Sequence, residues 1–143
     1  MRLLSRGEIL ERIPHGAEAL LISSAQVDGQ TATSELWLEG NEPYFAGHYP
    51  GRPMLPAATL LEMFGQVGAV LTGSLELERR PELLVRVHSL RLKQPVVPPT
   101  WLRVAVALEG VRAGVVFLHA RAESGRGRVA LARLVVAEAG HAA

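Results

Sequence analysis

Hydrophobic residues fill almost every position between Met54 and Thr72, so a helix over this stretch is apolar on nearly its whole circumference. Such a helix is buried inside a protein rather than laid on its surface. Pro56 is tolerated in the first turn of a helix, and Gly73 is a typical residue at which a helix ends. The pattern therefore predicts a long central helix over residues 54–72.

Most of the remaining chain alternates apolar and polar positions, as strands with one buried face do. Asp28-Gly29 is a turn signal that joins the first two of these runs into a hairpin. The predicted strands cover residues 17–27, 31–39, 84–93, 101–109, 115–123 and 128–138. One long helix with five or six antiparallel strands makes an α+β fold, which we expect to be a single domain spanning residues 1–143.

Two shorter segments carry local signals of their own. Ser5 and Glu8 form an S-x-x-E capping box, which predicts a short helix from about Arg6 to Arg12. Residues 40–56 hold four prolines and three glycines, a density that excludes regular structure and favours a rigid loop. We therefore expect the segment before the long helix to present its side chains from a fixed backbone.

Composition narrows the classes of function. The formal net charge of the 143-residue chain is +1, whereas a dedicated nucleic-acid binder is usually strongly basic. The absence of cysteine excludes disulfides, a thiolate nucleophile and cysteine-ligated metals. No stretch approaches the roughly 20 apolar residues of a membrane span, and the N-terminus lacks a signal-peptide core. We expect a soluble, cytoplasmic protein with no nucleic-acid or membrane partner.

The long helix carries one polar stripe. Thr59, Glu62 and Gln66 fall within about 60° of one another on a helical wheel. A buried carboxylate costs several kcal/mol unless it is paired or protonated, and a desolvated carboxyl group is a candidate general acid or base. A solvated position at the helix edge, or one half of a structural ion pair, explains Glu62 equally well at this level.

His48 is the second candidate for proton transfer, because imidazole titrates near neutrality and this one lies in the rigid loop. A loop histidine hydrogen-bonded to the backbone is the alternative. The chain has no metal-ligand spacing and no nucleotide-binding motif, so no metal site is predicted. A structural or surface role is favoured for the other histidines: His15, His88, His119 and His141.

Residues 41–66, "NEPYFAGHYPGRPMLPAATLLEMFGQ", resemble the signature of bacterial (3R)-hydroxyacyl-acyl-carrier-protein dehydratases of the FabZ type. Two weaker similarities, at Ile13-Pro14-His15 and over residues 92–100, extend the resemblance along most of the chain. The resemblance implies a hotdog fold, in which an antiparallel sheet wraps a long central helix. It also implies a homodimer, often assembled further into a trimer of dimers.

The activity implied by this resemblance is the dehydration of a 3-hydroxyacyl carrier thioester to the trans-2-enoyl thioester, in fatty-acid or polyketide-like synthesis. His48 of one chain matches the base and Glu62 of the other chain matches the acid. The N–H of Ala57 matches the oxyanion donor, the carbonyl of Met54 matches the group that orients the histidine, and Gln66 matches the residue that holds the carboxylate. Supporting positions fall on Gly47 and Pro56.

The resemblance implies no metal and no cofactor of the protein's own, since the substrate's carrier brings the phosphopantetheine arm. Acyl carrier proteins are acidic, and a basic rim around the tunnel mouth would speed their association. The residues that we assign to this rim are Arg52, Arg79, Arg80, Arg91 and Lys93.

Several positions depart from the family pattern. Ala57 stands where the family has glycine, and Gly16 stands where it usually has arginine. A dehydratase of a specialised pathway fits these departures as well as a housekeeping enzyme does. Two other functions stay open: a hotdog thioesterase, and a non-catalytic hotdog subunit that binds acyl chains or pairs with an active dehydratase.

Overall fold

The structure, a computed structural model, describes residues 1–76 and 82–138. These residues form one antiparallel sheet and two α-helices, which confirms the predicted α+β class. The elements are β1 (Arg2–Leu4), α1 (Arg6–Arg12), β2 (Ala25–Asp28), β3 (Thr31–Leu38), α2 (Ala57–Ser74), β4 (Glu82–Leu92), β5 (Thr100–Arg112), β6 (Val115–Ser124) and β7 (Gly127–Glu138). Single 3₁₀ turns occupy Ala17–Ala19 and Pro43–Phe45.

Seven strands, one or two more than predicted, lie in the order β1-β2-β3-β5-β6-β7-β4. The additional strand, β1, is three residues long and pairs with β2 through Leu3 and Gln26. A run this short carries no periodicity that a sequence pattern can reveal. β4 follows α2 in the chain but pairs with β7, so it forms one end of the sheet.

The predicted strand over residues 17–27 is wrong over residues 17–24, because the strand begins only at Ala25. Before it, the backbone forms hydrogen bonds with a side chain of α2 instead of with a neighbouring strand. The Leu21 N–H donates to Gln66 Oε1 and the Ala19 carbonyl accepts from Gln66 Nε2, each at 2.8 Å. These bonds satisfy polar groups that a sheet ladder otherwise pairs.

The first helix forms where its capping box predicts. The Glu8 N–H donates to Ser5 Oγ at 3.3 Å, and the Ser5 N–H donates to Glu8 Oε2 at 3.1 Å. The end of α1 lies against the end of α2, where a Cβ atom at Gly73 would come within 2.6 Å of the Arg12 carbonyl oxygen. Gly73 therefore permits this close approach, and α2 continues through it to Ser74 instead of ending there.

The core lies between α2 and one face of the sheet. Met63, Phe64 and Val67 are fully buried, and each contributes about 1.5–3 kcal/mol to stability by leaving water. Gly68 lets the helix approach β6, since a Cβ atom there would lie 2.9 Å from Leu118 Cδ1. Within the described ranges, no helix is both long and apolar enough to cross a membrane.

Strand β4 exposes several apolar side chains to solvent. Leu84, Val87 and Leu92 of β4 are 42%, 38% and 54% exposed. Their cross-strand partners on β7 are core residues, and directly opposed residues share a face of the sheet. These three side chains therefore lie on the helix-covered face, beyond the part that α2 covers.

Candidate active site

The loop that carries His48 is shaped by residues with positive φ angles. Gly47, Tyr49 and Gly51 have φ values of 73°, 56° and 80°, in the region that favours glycine. The Tyr49 backbone is strained there, which marks a conformation imposed by its surroundings. The His48 N–H donates to the Phe45 carbonyl at 3.1 Å, and its ring meets the Tyr49 ring edge-on at 4.7 Å between centroids. The half-buried His48 is thus held by a fixed turn.

His48 opens onto a cavity of about 450 Å³ at the start of α2. Met54 and Ala57 line this cavity, as do Leu92 at the end of β4 and the adjacent Lys93. The N-cap residue of α2 is a proline, whose side chain cannot cap the first-turn N–H groups. Helix starts of this kind attract negative charge. The structure therefore brings together three of the predicted site residues, one imidazole and two backbone contributors.

Ala57 is the first residue of α2 and has helical backbone geometry. A Cβ atom is therefore accommodated at this position without the positive φ that only glycine adopts readily. The substitution of the family's glycine by alanine leaves the backbone N–H in place.

Glu62 lines a second cavity, of about 380 Å³, together with Leu61, Gly65 and Leu84. Its side chain is 47% exposed, so in the single chain Glu62 occupies the solvated position at the helix edge that the sequence left open. α2 packs chiefly against β5 and β3, and it leaves the Leu84 end of β4 uncovered. The carboxylate faces this uncovered region.

His15, for which the sequence favoured a structural or surface role, lies beside Glu62. Its Nε2 lies 3.7 Å from Glu62 Oε2, and its side chain is 24% exposed. The ring lines the same cavity as the carboxylate. The sequence did carry a signal for this residue, since Ile13-Pro14-His15 belongs to the weaker part of the family resemblance.

Gln66 does not take the role that the resemblance assigns to it. It is fully buried, and its amide group bonds to the backbone at Ala19 and Leu21 instead of to Glu62. The polar stripe of α2 therefore holds the segment that follows α1. Gln66 fixes residues 19–21, and Glu62 meets His15 just before them.

His48 and Glu62 line different cavities of the same chain. The His48 cavity includes Leu92 at one end of β4, and the Glu62 cavity includes Leu84 near the other end. The structure of one chain thus contains both predicted catalytic side chains but does not bring them into one cavity.

The predicted carrier-binding residues fall into two groups. Lys93 lines the His48 cavity, and Arg52 and Arg91 are exposed. Arg79 and Arg80 lie outside the described residues. Of the remaining histidines, His88 and His119 are exposed on strands, and His141 also lies outside the described residues.

Electrostatic shifts occur in the 3₁₀ turn that leads to His48. Burial opposes ionisation of Glu42, but the backbone N–H groups of Gly40 and Glu39 donate to its carboxylate and hold its pKa below the ordinary value. Burial, followed by the nearby Glu42 charge, raises the pKa of Tyr44 to about 12. Tyr44 is therefore neutral at physiological pH, and the turn carries one stable negative charge.

The architecture and the two cavities define a hotdog-fold protein. Among solved structures, the chain is similar to the dehydratase heterocomplex ApeI:P from Xenorhabdus doucetiae, with a TM-score of 0.74 at 15% identity over 91% of this chain and 90% of that one. The PaaI protein of the E. coli phenylacetic acid degradation operon has a TM-score of 0.65 at 12% identity, over 79% of each chain. At these identities the likeness shows the fold.

Sequence comparison shows the family. The model of ApeI-like dehydratases matches residues 24–128. The 3-hydroxyacyl-[acyl-carrier-protein] dehydratase FabZ of Chloroflexus aggregans is 38% identical, over 84% of this chain and 85% of its own. The enzyme of the same name from Pelotomaculum thermopropionicum is 33% identical, over 94% and 99%. The chain belongs to the ApeI-like dehydratase family.

Proposed function

We propose that the protein removes water from a 3-hydroxyacyl thioester carried by an acyl carrier protein, and so forms the trans-2-enoyl thioester during acyl-chain synthesis. The observation that carries this proposal is the 38% identity to an enzyme named for this reaction, over most of both chains. Both side chains that the reaction needs, His48 and Glu62, are present and each borders a cavity with apolar walls.

The working unit that we propose is a homodimer joined along β4. This strand is eleven residues long and ends the sheet, and an exposed edge of that length invites pairing with another chain. The exposed Leu84, Val87 and Leu92 supply apolar surface for a partner to bury. Antiparallel pairing of β4 with its copy continues the sheet across the two subunits.

Pairing about the centre of β4, near His88, sets Leu84 opposite the partner's Leu92. Leu84 borders the Glu62 cavity, and Leu92 borders the His48 cavity. Within one chain these leucines are separated by eight residues of strand, roughly 25 Å. The two-fold arrangement therefore joins the Glu62 cavity of one subunit to the partner's His48 cavity, twice per dimer, and withdraws the carboxylate from water.

In the joined site, His48 takes the C2 proton of the substrate and Glu62 donates a proton to the departing C3 hydroxyl. The C2–H electron pair forms the C2=C3 double bond, the C3–O bond breaks, and the oxygen leaves as water. His48 has then gained one proton and Glu62 has lost one, and a return transfer resets the pair. The Ala57 N–H stabilises the negative charge that develops on the thioester oxygen.

The phosphopantetheine arm belongs to the carrier in this proposal, and the protein needs no cofactor of its own. Lys93 borders the His48 cavity, and Arg52 and Arg91 are exposed to solvent. Opposite charge on an acidic carrier raises the rate of encounter. Arg52, Arg91 and Lys93 are therefore the residues to neutralise in a test of carrier docking.

The test supplies a 3-hydroxyacyl carrier thioester, or the enoyl thioester for the reverse hydration, and follows absorbance of the enoyl product. A thiol reagent in a parallel reaction detects thioesterase activity. We expect enoyl formation without thiol release. Thiol release alone would identify a thioesterase, and binding without either product would identify a non-catalytic subunit. Light scattering with size exclusion distinguishes the dimer from a trimer of dimers.

A further inference from the structure

The neighbour of Glu62 within its own chain is an imidazole. His15 Nε2 lies 3.7 Å from Glu62 Oε2, about 0.7 Å longer than an N–H···O hydrogen bond. The Glu62 side chain is 47% exposed in the single chain. A small rotation closes the gap, and burial of the cavity by a second subunit favours the closed arrangement because an unpaired carboxylate is costly there.

The other ring nitrogen fixes which tautomer meets the carboxylate. His15 Nδ1 is buried and has no hydrogen-bond partner among residues 1–76 and 82–138. A carboxylate only accepts hydrogen bonds, so Nε2 must carry the proton in order to bond with Glu62. Leaving Nδ1 as a bare lone pair also avoids burying a second, unpaired N–H donor. Of the two neutral tautomers, the favoured one carries its proton on Nε2.

The backbone around His15 is held at two points of α2. On one side, the Arg12 carbonyl packs against Gly73. On the other side, Gln66 bonds to Ala19 and Leu21. His15 lies between these anchors, so its ring position is set by the same helix that carries Glu62. A group fixed in this way can orient a flexible carboxylate at low entropic cost.

We propose that His15 is a positioning residue for Glu62, an inference that rests on the proposed dehydratase function. Its Nε2–H donates to Oε2 and so leaves Oε1 to carry the acidic proton toward the substrate hydroxyl. When that proton leaves with the C3 oxygen, the Nε2–H bond stabilises the carboxylate that remains. His15 itself neither gains nor loses a proton in the cycle.

The first test detects the contact between His15 and Glu62 without measuring enzymatic turnover. Long-range proton–nitrogen NMR of the ¹⁵N-labelled protein distinguishes the two neutral tautomers of each histidine, and a His15→Gln sample assigns the His15 signals. We expect the Nε2–H tautomer for His15, with shifts that change in Glu62→Gln. A Nδ1–H tautomer, or His15 signals that Glu62→Gln leaves unchanged, overturns the proposal even if the protein proves inactive.

The second test measures the effect on the reaction. We expect His15→Ala to lower kcat about 10- to 100-fold with KM nearly unchanged, since the lost contact is a charge-assisted hydrogen bond to a catalytic group. His15→Gln keeps an N–H donor on a side chain of similar length and should recover most of the loss. His119→Ala, an exposed histidine on β6, is the matched control and should keep wild-type kcat.

A double variant tests whether His15 affects kcat through Glu62. If His15 acts through Glu62, His15→Ala has no further effect on kcat in a Glu62→Gln background. Additive losses in the double variant, or equal losses in His15→Ala and His15→Gln, contradict a positioning role. If the wild-type protein forms no enoyl product, the proposed function is wrong. If the wild-type protein is active and His15→Ala is equally active, only the proposed role of His15 is wrong.

Discussion

The two cavities of this chain differ in what they contain. The His48 cavity has a histidine on a strained, rigid loop and the backbone N–H groups of a helix start. The Glu62 cavity has a carboxylate in the second turn of the same helix and an imidazole beside it. One cavity can accept a proton and stabilise an oxyanion, and the other can deliver a proton. In the proposed dehydration, His48 of the first cavity would take the C2 proton and Glu62 of the second would donate a proton to the leaving hydroxyl.

This division explains why Glu62 is half-exposed although its helix is built for burial. The carboxylate lies on α2 beside the Leu84 end of β4, which the helix leaves exposed in a single chain. In the proposed dimer, a second subunit on the same strand would cover that region and bring its His48 to the carboxylate. The apparent defect of the single chain is thus expected for a site that forms between two chains.

The largest effect is expected from removing either half of the pair. Because each residue performs one proton transfer in the proposed mechanism, His48→Ala and Glu62→Gln should each lower kcat by roughly 10²- to 10⁴-fold. Steady-state kinetics measure this loss, with circular dichroism to verify the fold. An exposed glutamate of α1 gives the control, Glu11→Gln, which should match wild type. Wild-type turnover in either site variant would remove that residue from the mechanism.

The next largest effect is expected from removing the backbone N–H of Ala57, which tests the proposed oxyanion contact separately from the His48 side chain. Ala57→Pro deletes the N–H at the first position of α2, where proline is tolerated and the preceding residue is already extended. The loss of one oxyanion donor should lower kcat by about 10²- to 10³-fold without unfolding the helix. Ala57→Gly keeps the N–H and is the control.

Equal activity of Ala57→Pro and Ala57→Gly contradicts an oxyanion role for this amide. A thermal unfolding temperature measured for both variants separates that outcome from loss of the fold.

The junction between the cavities is tested at the centre of β4. Val87 borders neither cavity, and Val87→Asp places a charge where two apolar strands are expected to meet. We expect the dimer dissociation constant to rise more than about tenfold, with turnover falling in proportion to the dimer lost. Light scattering and activity across protein concentrations measure both. Val111→Asp, an exposed apolar position on β5, should leave dimer and activity intact.

The smallest effect concerns the turn that leads to His48. The pKa of folded Glu42 is lowered, so its carboxylate stabilises the fold above the unfolded pKa, and this stabilisation is lost as pH falls through the folded value. Glu42→Gln should therefore lower Tm modestly at neutral pH, and the difference should vanish in strong acid. Scanning calorimetry from pH 7 to pH 2 measures it. A Tm difference that grows toward low pH would contradict the assigned direction.

Local signals predicted local structure well. The Ser5–Glu8 capping box formed with both of its hydrogen bonds, and the Asp28-Gly29 turn joined β2 to β3. The strand predicted over residues 17–27 was wrong before Ala25, where backbone groups of residues 19 and 21 bond to Gln66, distant in sequence. Gly73 was predicted as a helix end, but its role depends on the approach of Arg12.

The same difference between local and long-range signals applies to the candidate site. The motif around His48 placed His48, Met54 and Ala57 at one cavity, since all three belong to one continuous segment. The motif did not give the surroundings of Glu62, because they include His15 from a separate segment and the exposed part of β4. The pattern of apolar and polar residues along one chain does not show which surfaces a second copy of the chain would bury.

Complementation between two inactive variants tests the shared site most directly. His48→Ala and Glu62→Gln chains, each with its own affinity tag, are co-expressed and the mixed dimer is isolated by both tags. One of its two sites then holds an intact His48 and an intact Glu62, so we predict about half of the wild-type kcat per dimer. Activity no higher than that of the two parent variants contradicts the claim that the two halves meet across subunits.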